Sequence, residues 1–196
     1  GKYTSGDIRN IALVGHGGSG KTLICEAILQ KLGIVNRVPA GVMDFASDEK
    51  DRGHSIDLST ARISWQSKEI TILNVPGYYD FFHNVVSALS VVETAVIVIS
   101  AMDGITVNTR KAWEIAEKNG LARAIVVTKI DTENANFDNV IADIQKQFGA
   151  SCAPITVPYA SGKLFAKVTN VLNAKSPETA AYLGKLTEAL VETEDT

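Results

Sequence analysis

Apolar residues along this chain gather into short runs separated by amphipathic stretches. Ile8–Val14, Leu58–Trp65, Ile70–Val75, Ala95–Ala101 and Ala124–Thr128 have the length and β-branched content of strands. Lys21–Leu32, Phe81–Val92, Asn108–Asn119 and Phe137–Phe148 lie between or after them with helical character. In Asn108–Asn119, Ala112, Trp113, Ile115 and Ala116 share one side, while Lys111, Glu114, Glu117 and Lys118 fall elsewhere. Gly120 stops that helix. Such alternation predicts an α/β domain around a largely parallel sheet. Leu58–Trp65 and Ile70–Val75, joined by Gln66–Glu69, read as a hairpin, so one strand runs antiparallel. Between Gly33 and Asp57 no period is visible, and Pro39, Gly41, Gly53 and the charged cluster Asp48–Arg52 mark a long loop. From Ala150 the pattern changes. Ala153–Val157 and Leu164–Leu172 read as short strands, and Pro177 opens a helix to about Val191. The expected division is a core at 1–150 and a small separate element at 151–196.

Composition narrows the class. The chain has 196 residues, 45% hydrophobic and 21% charged, which suits one globular domain with a real core. No apolar run approaches the ~20 residues that span a bilayer, so no membrane partner is expected. A net charge of −3 does not favour nonspecific binding to free DNA. Cys25 and Cys152 lack C-x-x-C spacing, and the pair fits a reducing cytoplasm.

The strand Ile8–Val14 leads directly into Gly15-His16-Gly17-Gly18-Ser19-Gly20-Lys21-Thr22, a G-x-x-x-x-G-K-[ST] phosphate loop. Its glycines let backbone N–H groups turn inward around phosphate oxygens, and the following helix N-terminus adds its dipole. Lys21 supplies a point charge to the β/γ-phosphates, and the Thr22 hydroxyl is placed to hold Mg²⁺. A second site, Thr128-Lys129-Ile130-Asp131, ends a strand on the same sheet edge. Alone, it reads as a solvated strand end. After a phosphate loop, the Asp131 carboxylate can accept from guanine N1–H and N2–H, a donor pair adenine lacks, and Lys129 can lay its stem along the base. The third site, Asn74-Val75-Pro76-Gly77-Tyr78, reads alone as a Pro-Gly turn. Its Gly77 N–H can equally meet a γ-phosphate and sense its presence.

Together these sites resemble the nucleotide-binding motifs of translational GTPases, particularly elongation-factor-G-like paralogues within the elongation factor G family. The resemblance is carried by GHGGSGKT at 15–22, DEKDRGHSI at 48–56, NVPGYYDF at 74–81, SAMDGITVNTRKAW at 100–113 and TKID at 128–131. LTEALVETED at 186–195 looks like the helix closing that family's inserted G′ subdomain. The resemblance implies a P-loop GTPase fold with part of a G′-like subdomain at 151–196. It also implies GTP/GDP and Mg²⁺ as ligands, GTP hydrolysis, and the ribosome as partner. The family's guanine O6 loop, last strand and last helix would follow the G′ segment and are absent from this sequence.

Four departures qualify that implication. Asn74 stands where the family has an Asp that steadies Mg²⁺ through water, so an oxygen remains without its charge. Tyr78 stands where a His aligns the attacking water, and a phenol presents no imidazolium, so weak hydrolysis is expected. Ser55 replaces the Mg²⁺-binding Thr and keeps the hydroxyl. Thr128 replaces an Asn, losing an amide that would reach base N7 and tether the phosphate loop. Two other readings stay open. One is a non-hydrolysing nucleotide-sensing module or a release-factor or ribosome-protection relative; the other is a P-loop kinase or ATPase.

Overall fold

The computed structural model describes residues 3–39, 41–43, 57–78, 80, 82–173 and 177–194. Its main sheet has five strands: β1 (Ile8–Gly15), β2 (Ser59–Trp65), β3 (Lys68–Asn74), β4 (Thr94–Ser100) and β5 (Ala122–Thr128). Their order is β2-β3-β1-β4-β5, with β2 antiparallel to β3 and the other pairs parallel. The strands that sequence periodicity predicts are all present, with shifted ends. β3 starts at Lys68 because Trp65 pairs with Lys68 across a two-residue turn, Gln66–Ser67, rather than the four residues expected. Both turn residues take positive φ, 47° and 62°, the hand that matches hairpin twist. β5 starts at Ala122 because its pairing with β4 extends back to Thr94.

Strand order reverses at β1. The path β1 to β3 travels one way across the sheet, and β3 to β4 to β5 travels the other. Right-handed crossovers therefore place α1 (Lys21–Lys31) on one face, and α2 (Phe82–Leu89) and α3 (Val107–Lys118) on the opposite one. Side chains of β1 alternate accordingly. Leu13 packs with Cys25 and Leu29 of α1, Ile72 of β3, Ile63 of β2 and Met43, while its neighbours Ala12 and Val14 are buried on the other side. Being covered on both faces explains why β1 and β4 read as unbroken apolar runs. Crevices at such a reversal, outside the carboxyl ends of the strands, are where ligands bind in open α/β sheets.

The chain divides into two compact units, one of residues 1–100 and 106–128, the other of 101–105 and 129–196. Position 150 thus lies inside the second unit. That unit holds α4 (Phe137–Phe148), α5 (Pro177–Glu194) and an antiparallel pair, β6 (Thr156–Pro158) and β7 (Val168–Asn170). The two strands are shorter than the runs Ala153–Val157 and Leu164–Leu172. Leu164 belongs instead to a tight turn, Gly162–Leu164, where Gly162 adopts φ +69°. α4 begins at the Asn136 cap, whose side chain accepts from the Asn139 N–H at 3.0 Å. Tyr182 of α5 donates to the Asp138 carboxylate at 2.6 Å and meets Phe137 edge-on. Burial, reinforced by that bond, pushes the Tyr182 phenol up to about 12.

Candidate phosphate and base site

β1 delivers Gly15 to the sheet edge, and α1 begins at Lys21 after Gly20, which caps it at φ +92°. The Lys21 side chain is 6% exposed, and its ammonium donates to the Gly15 carbonyl at 3.2 Å and the His16 carbonyl at 2.8 Å. The Ser19 N–H closes the loop onto the His16 carbonyl at 3.3 Å. Ser19 Oγ is buried and has no hydrogen-bond partner among the described residues. A buried polar atom left unpaired calls for a ligand or a bridging atom. A phosphate oxygen, which accepts, fits that hydroxyl.

Asn74 closes β3 and is fully buried. Its Nδ2 donates to the Thr22 hydroxyl at 3.2 Å and to Ser59 Oγ at 3.4 Å, while Oδ1 stays unpaired among the described residues. An unpaired amide oxygen beside a threonine hydroxyl is a set of hard oxygen donors, the chemistry that Mg²⁺ and its waters require. Ser55, the third oxygen expected there, lies outside the described residues. Among those residues no cluster of three His, Cys, Asp or Glu side chains forms a separate metal site.

The turn after β3 lies against the phosphate loop. A Cβ at Gly77 would fall 2.6 Å from the Gly15 carbonyl oxygen and 2.5 Å from the His16 carbonyl carbon, and against the Lys21 ammonium. Only glycine permits that approach. Beside it the Tyr78 ring covers Gly17: a Cβ there would sit 2.8 Å from the ring carbons. The absent side chain at Gly17 and the large one at Tyr78 are therefore a matched pair. Asn108, buried in the first turn of α3, donates to the Gly77 carbonyl at 3.0 Å. Sequence reasoning passed over Asn108 and Ser59. Asn108 had a signal, being an amide on the helix turn that enters the core.

Thr128, last in β5, also reaches the loop. Its hydroxyl donates to the Ser19 carbonyl at 2.7 Å. The expected loss of a tether at this position is thus corrected: a hydroxyl on a strand end this close needs no longer amide to span the gap.

Lys129, Ile130 and Asp131 belong to the second unit. Lys129 takes the left-handed conformation at φ +56°, and its carbonyl accepts from the Thr132 N–H at 3.3 Å and Thr132 Oγ1 at 2.7 Å. The Lys129 and Asp131 side chains are exposed and make no hydrogen bond or ion pair among the described residues. His16 and His83 join no cluster, and His54 lies outside the described residues. Cys25 is fully buried, which pushes its thiol up to about 11 and keeps it a small apolar filler. No helix among the described residues is long and apolar enough to cross a membrane.

Comparison with known proteins covers the same ground. The family model of the elongation factor Tu GTP binding domain matches residues 6–193. An elongation factor G-like protein of Thermotoga maritima is 30% identical over 170 residues, which are 87% of this chain and 25% of that protein. Elongation factor G of Salinibacter ruber is 30% identical over 173 residues, 86% of this chain and 24% of its own. The chain therefore spans about a quarter of these relatives. The crystal structure of a Thermus thermophilus protein superposes with a TM-score of 0.85 at 30% identity, covering 95% of this chain and 31% of that one. A bacterial selenocysteine-specific elongation factor, at TM-score 0.58 and 23% identity over 71% of this chain and 24% of its own, shares the fold.

Proposed function

This chain belongs to the elongation factor Tu GTP-binding domain family, and from that membership we propose that it is the GTP/GDP switch of an elongation-factor-G-like translation factor working on the ribosome in the cytoplasm. The observation that carries the reading is the packing of Gly77 on Gly15, His16 and Lys21. A turn in contact with the phosphate loop and its lysine moves, or is held, according to whether a third phosphate is bound. The Gly15–Gly20 amides and Lys21 bind the phosphates, and Ser19 Oγ donates to one of their oxygens. Thr22, Ser55 and the Asn74 amide oxygen hold Mg²⁺ or its waters. When bound, the ion screens charge on the β- and γ-phosphates. Asp131 accepts from the guanine N1–H and N2–H, with Lys129 along the base.

Tyr78 occupies the water-positioning place. A phenol can orient water through one hydrogen bond but contributes no positive charge to the transition state, so hydrolysis is slow. Residues 151–196 correspond to a G′-like subdomain.

Calorimetric titration of the chain with GDP, GTP and ATP, each with Mg²⁺, tests the reading. Guanine nucleotides bind and ATP does not, and Asp131→Asn removes that preference. Equal binding of ATP, or an unchanged preference in Asp131→Asn, overturns the guanine assignment. Turnover with ribosomes separates a slow GTPase, which Tyr78→His accelerates, from a switch that works by binding alone.

A further inference from the structure

The loop after β5 is held from outside by the β6–β7 connection at one backbone atom. The Gly162 N–H donates to the Ile130 carbonyl at 2.8 Å. Ile130 is the residue between Lys129 and Asp131, and its carbonyl belongs to the peptide plane that Asp131 shares. That plane is rigid, so fixing its oxygen fixes the Asp131 nitrogen and narrows the directions in which the Asp131 side chain leaves the backbone.

Local bonds do not achieve this. The Thr132 N–H and Oγ1 both bind the Lys129 carbonyl, and the Ala135 N–H binds the Thr132 carbonyl at 2.9 Å. These bonds close the two ends of the loop and leave the middle peptide to Gly162. The loop also starts in a sterically costly conformation, with a lysine at φ +56°, which persists only where surroundings hold it.

Gly162 itself has no room for change. It is buried at φ +69°, and a Cβ would stand 3.1 Å from the Glu133 carbonyl oxygen, 3.5 Å from that of Thr132 and 3.6 Å from that of Ala135. Three loop carbonyls thus converge on one glycine. The neighbouring ion pair between Lys163 and Glu133 is exposed at both ends and adds little. The Lys129 and Asp131 side chains take no part in any of these contacts.

We propose that Gly162 is a positioning residue for base recognition: its N–H clamps the Ile130 peptide so that Asp131 presents its carboxylate to the 2-amino edge of guanine. The inference rests on the guanine reading of Asp131 above. It assigns the β6–β7 connection a part in nucleotide selectivity.

The test compares GDP with inosine diphosphate, which has the same phosphates and sugar and lacks only the 2-amino group. In the unaltered full chain, GDP binds about tenfold tighter, the value of one hydrogen bond to a charged acceptor. In Gly162→Ala, GDP loses the bonds from both N1–H and N2–H and weakens about 100-fold, while inosine diphosphate, which keeps only N1–H, weakens about tenfold, so the ratio falls toward one. If both nucleotides weaken by the same factor, or neither weakens, Gly162 is merely structural or irrelevant and the inference fails. An unaltered chain that binds GDP and inosine diphosphate alike overturns the Asp131 reading and this inference with it. A preserved preference in that chain with an unchanged ratio in Gly162→Ala overturns this inference alone. Should Gly162→Ala not fold, amide exchange at Gly162 in the unaltered chain decides: GDP slows it at least about tenfold and inosine diphosphate far less. Equal slowing, or none, overturns the clamp.

Discussion

The phosphate loop and the Lys129–Asp131 loop are built on opposite plans. In the first, the chemistry lies in the backbone and one buried lysine, packed between the end of β1, the Gly77 turn and the Thr128 hydroxyl. In the second, the chemistry lies in two exposed side chains that make no bond among the described residues, and only the backbone is held. Every nucleotide presents the same phosphates, so a rigid cradle can be folded into the core once and serve any base. On the guanine reading proposed for Asp131, base identity rests on a carboxylate kept free of ion pairs among the described residues, and its accuracy depends on how firmly the peptide beneath it is fixed. Rigidity is intrinsic to the one loop and borrowed by the other.

The largest effect that would break this contrast is at Lys21. Lys21→Ala lowers affinity for GTP, GDP and inosine diphosphate alike by about 100-fold, as expected for losing charge-assisted bonds of roughly 1.5–3 kcal/mol each. A loss confined to guanine nucleotides would show that the two loops do not divide the work in this way.

Next comes the matched pair. Gly17→Ala drives a methyl into the Tyr78 ring and costs about 1–3 kcal/mol by overpacking, read from the urea midpoint. In a Tyr78→Ala background the same change costs less than about 0.5 kcal/mol, and additive costs would refute the pairing.

Thr128→Val keeps the shape of the strand end and removes only the hydroxyl that reaches the Ser19 carbonyl. The expected loss is about 1 kcal/mol of stability, with a few-fold weakening of GDP and inosine diphosphate together. A change in their ratio would instead tie Thr128 to base selection.

Smallest is a control remote from both loops. Lys68 chiefly, with Thr4, holds the Asp7 carboxyl well below the usual carboxylate range. A depressed carboxylate stabilises the fold above its ordinary value of ~3.9, and the gain is lost as pH falls through the folded value. Lys68→Met therefore lowers stability at pH 7 slightly and flattens the acid limb of the melting profile, with GDP affinity unchanged. An altered affinity would mean that the end of the sheet bearing Asp7 communicates with the nucleotide site.

Much of the molecule was legible beforehand, for reasons of range. Glycine spacing ahead of Lys21, the apolar runs of β1 and β4, and the span Phe137–Phe148 of α4 are local patterns, set by backbone sterics and period over a few residues. Strand ends were less legible, because β3 and β5 start where a partner's register extends them. The pair Gly17–Tyr78 was hidden, since each residue reads separately as a loop glycine and a substituted histidine.

Residue order alone carries the glycine spacing ahead of Lys21, the strands of the main sheet and the residue types from which the base and metal roles are proposed, because each is encoded in near neighbours along the chain. Only the packed fold makes Thr128 bind Ser19 across 109 positions, rests Tyr78 on Gly17, and lets Gly162 grip Ile130. Those contacts depend on the order and register of strands and on the path of one hairpin connection. Distances of about 3 Å between remote residues follow from the whole packed fold, and no local pattern contains them.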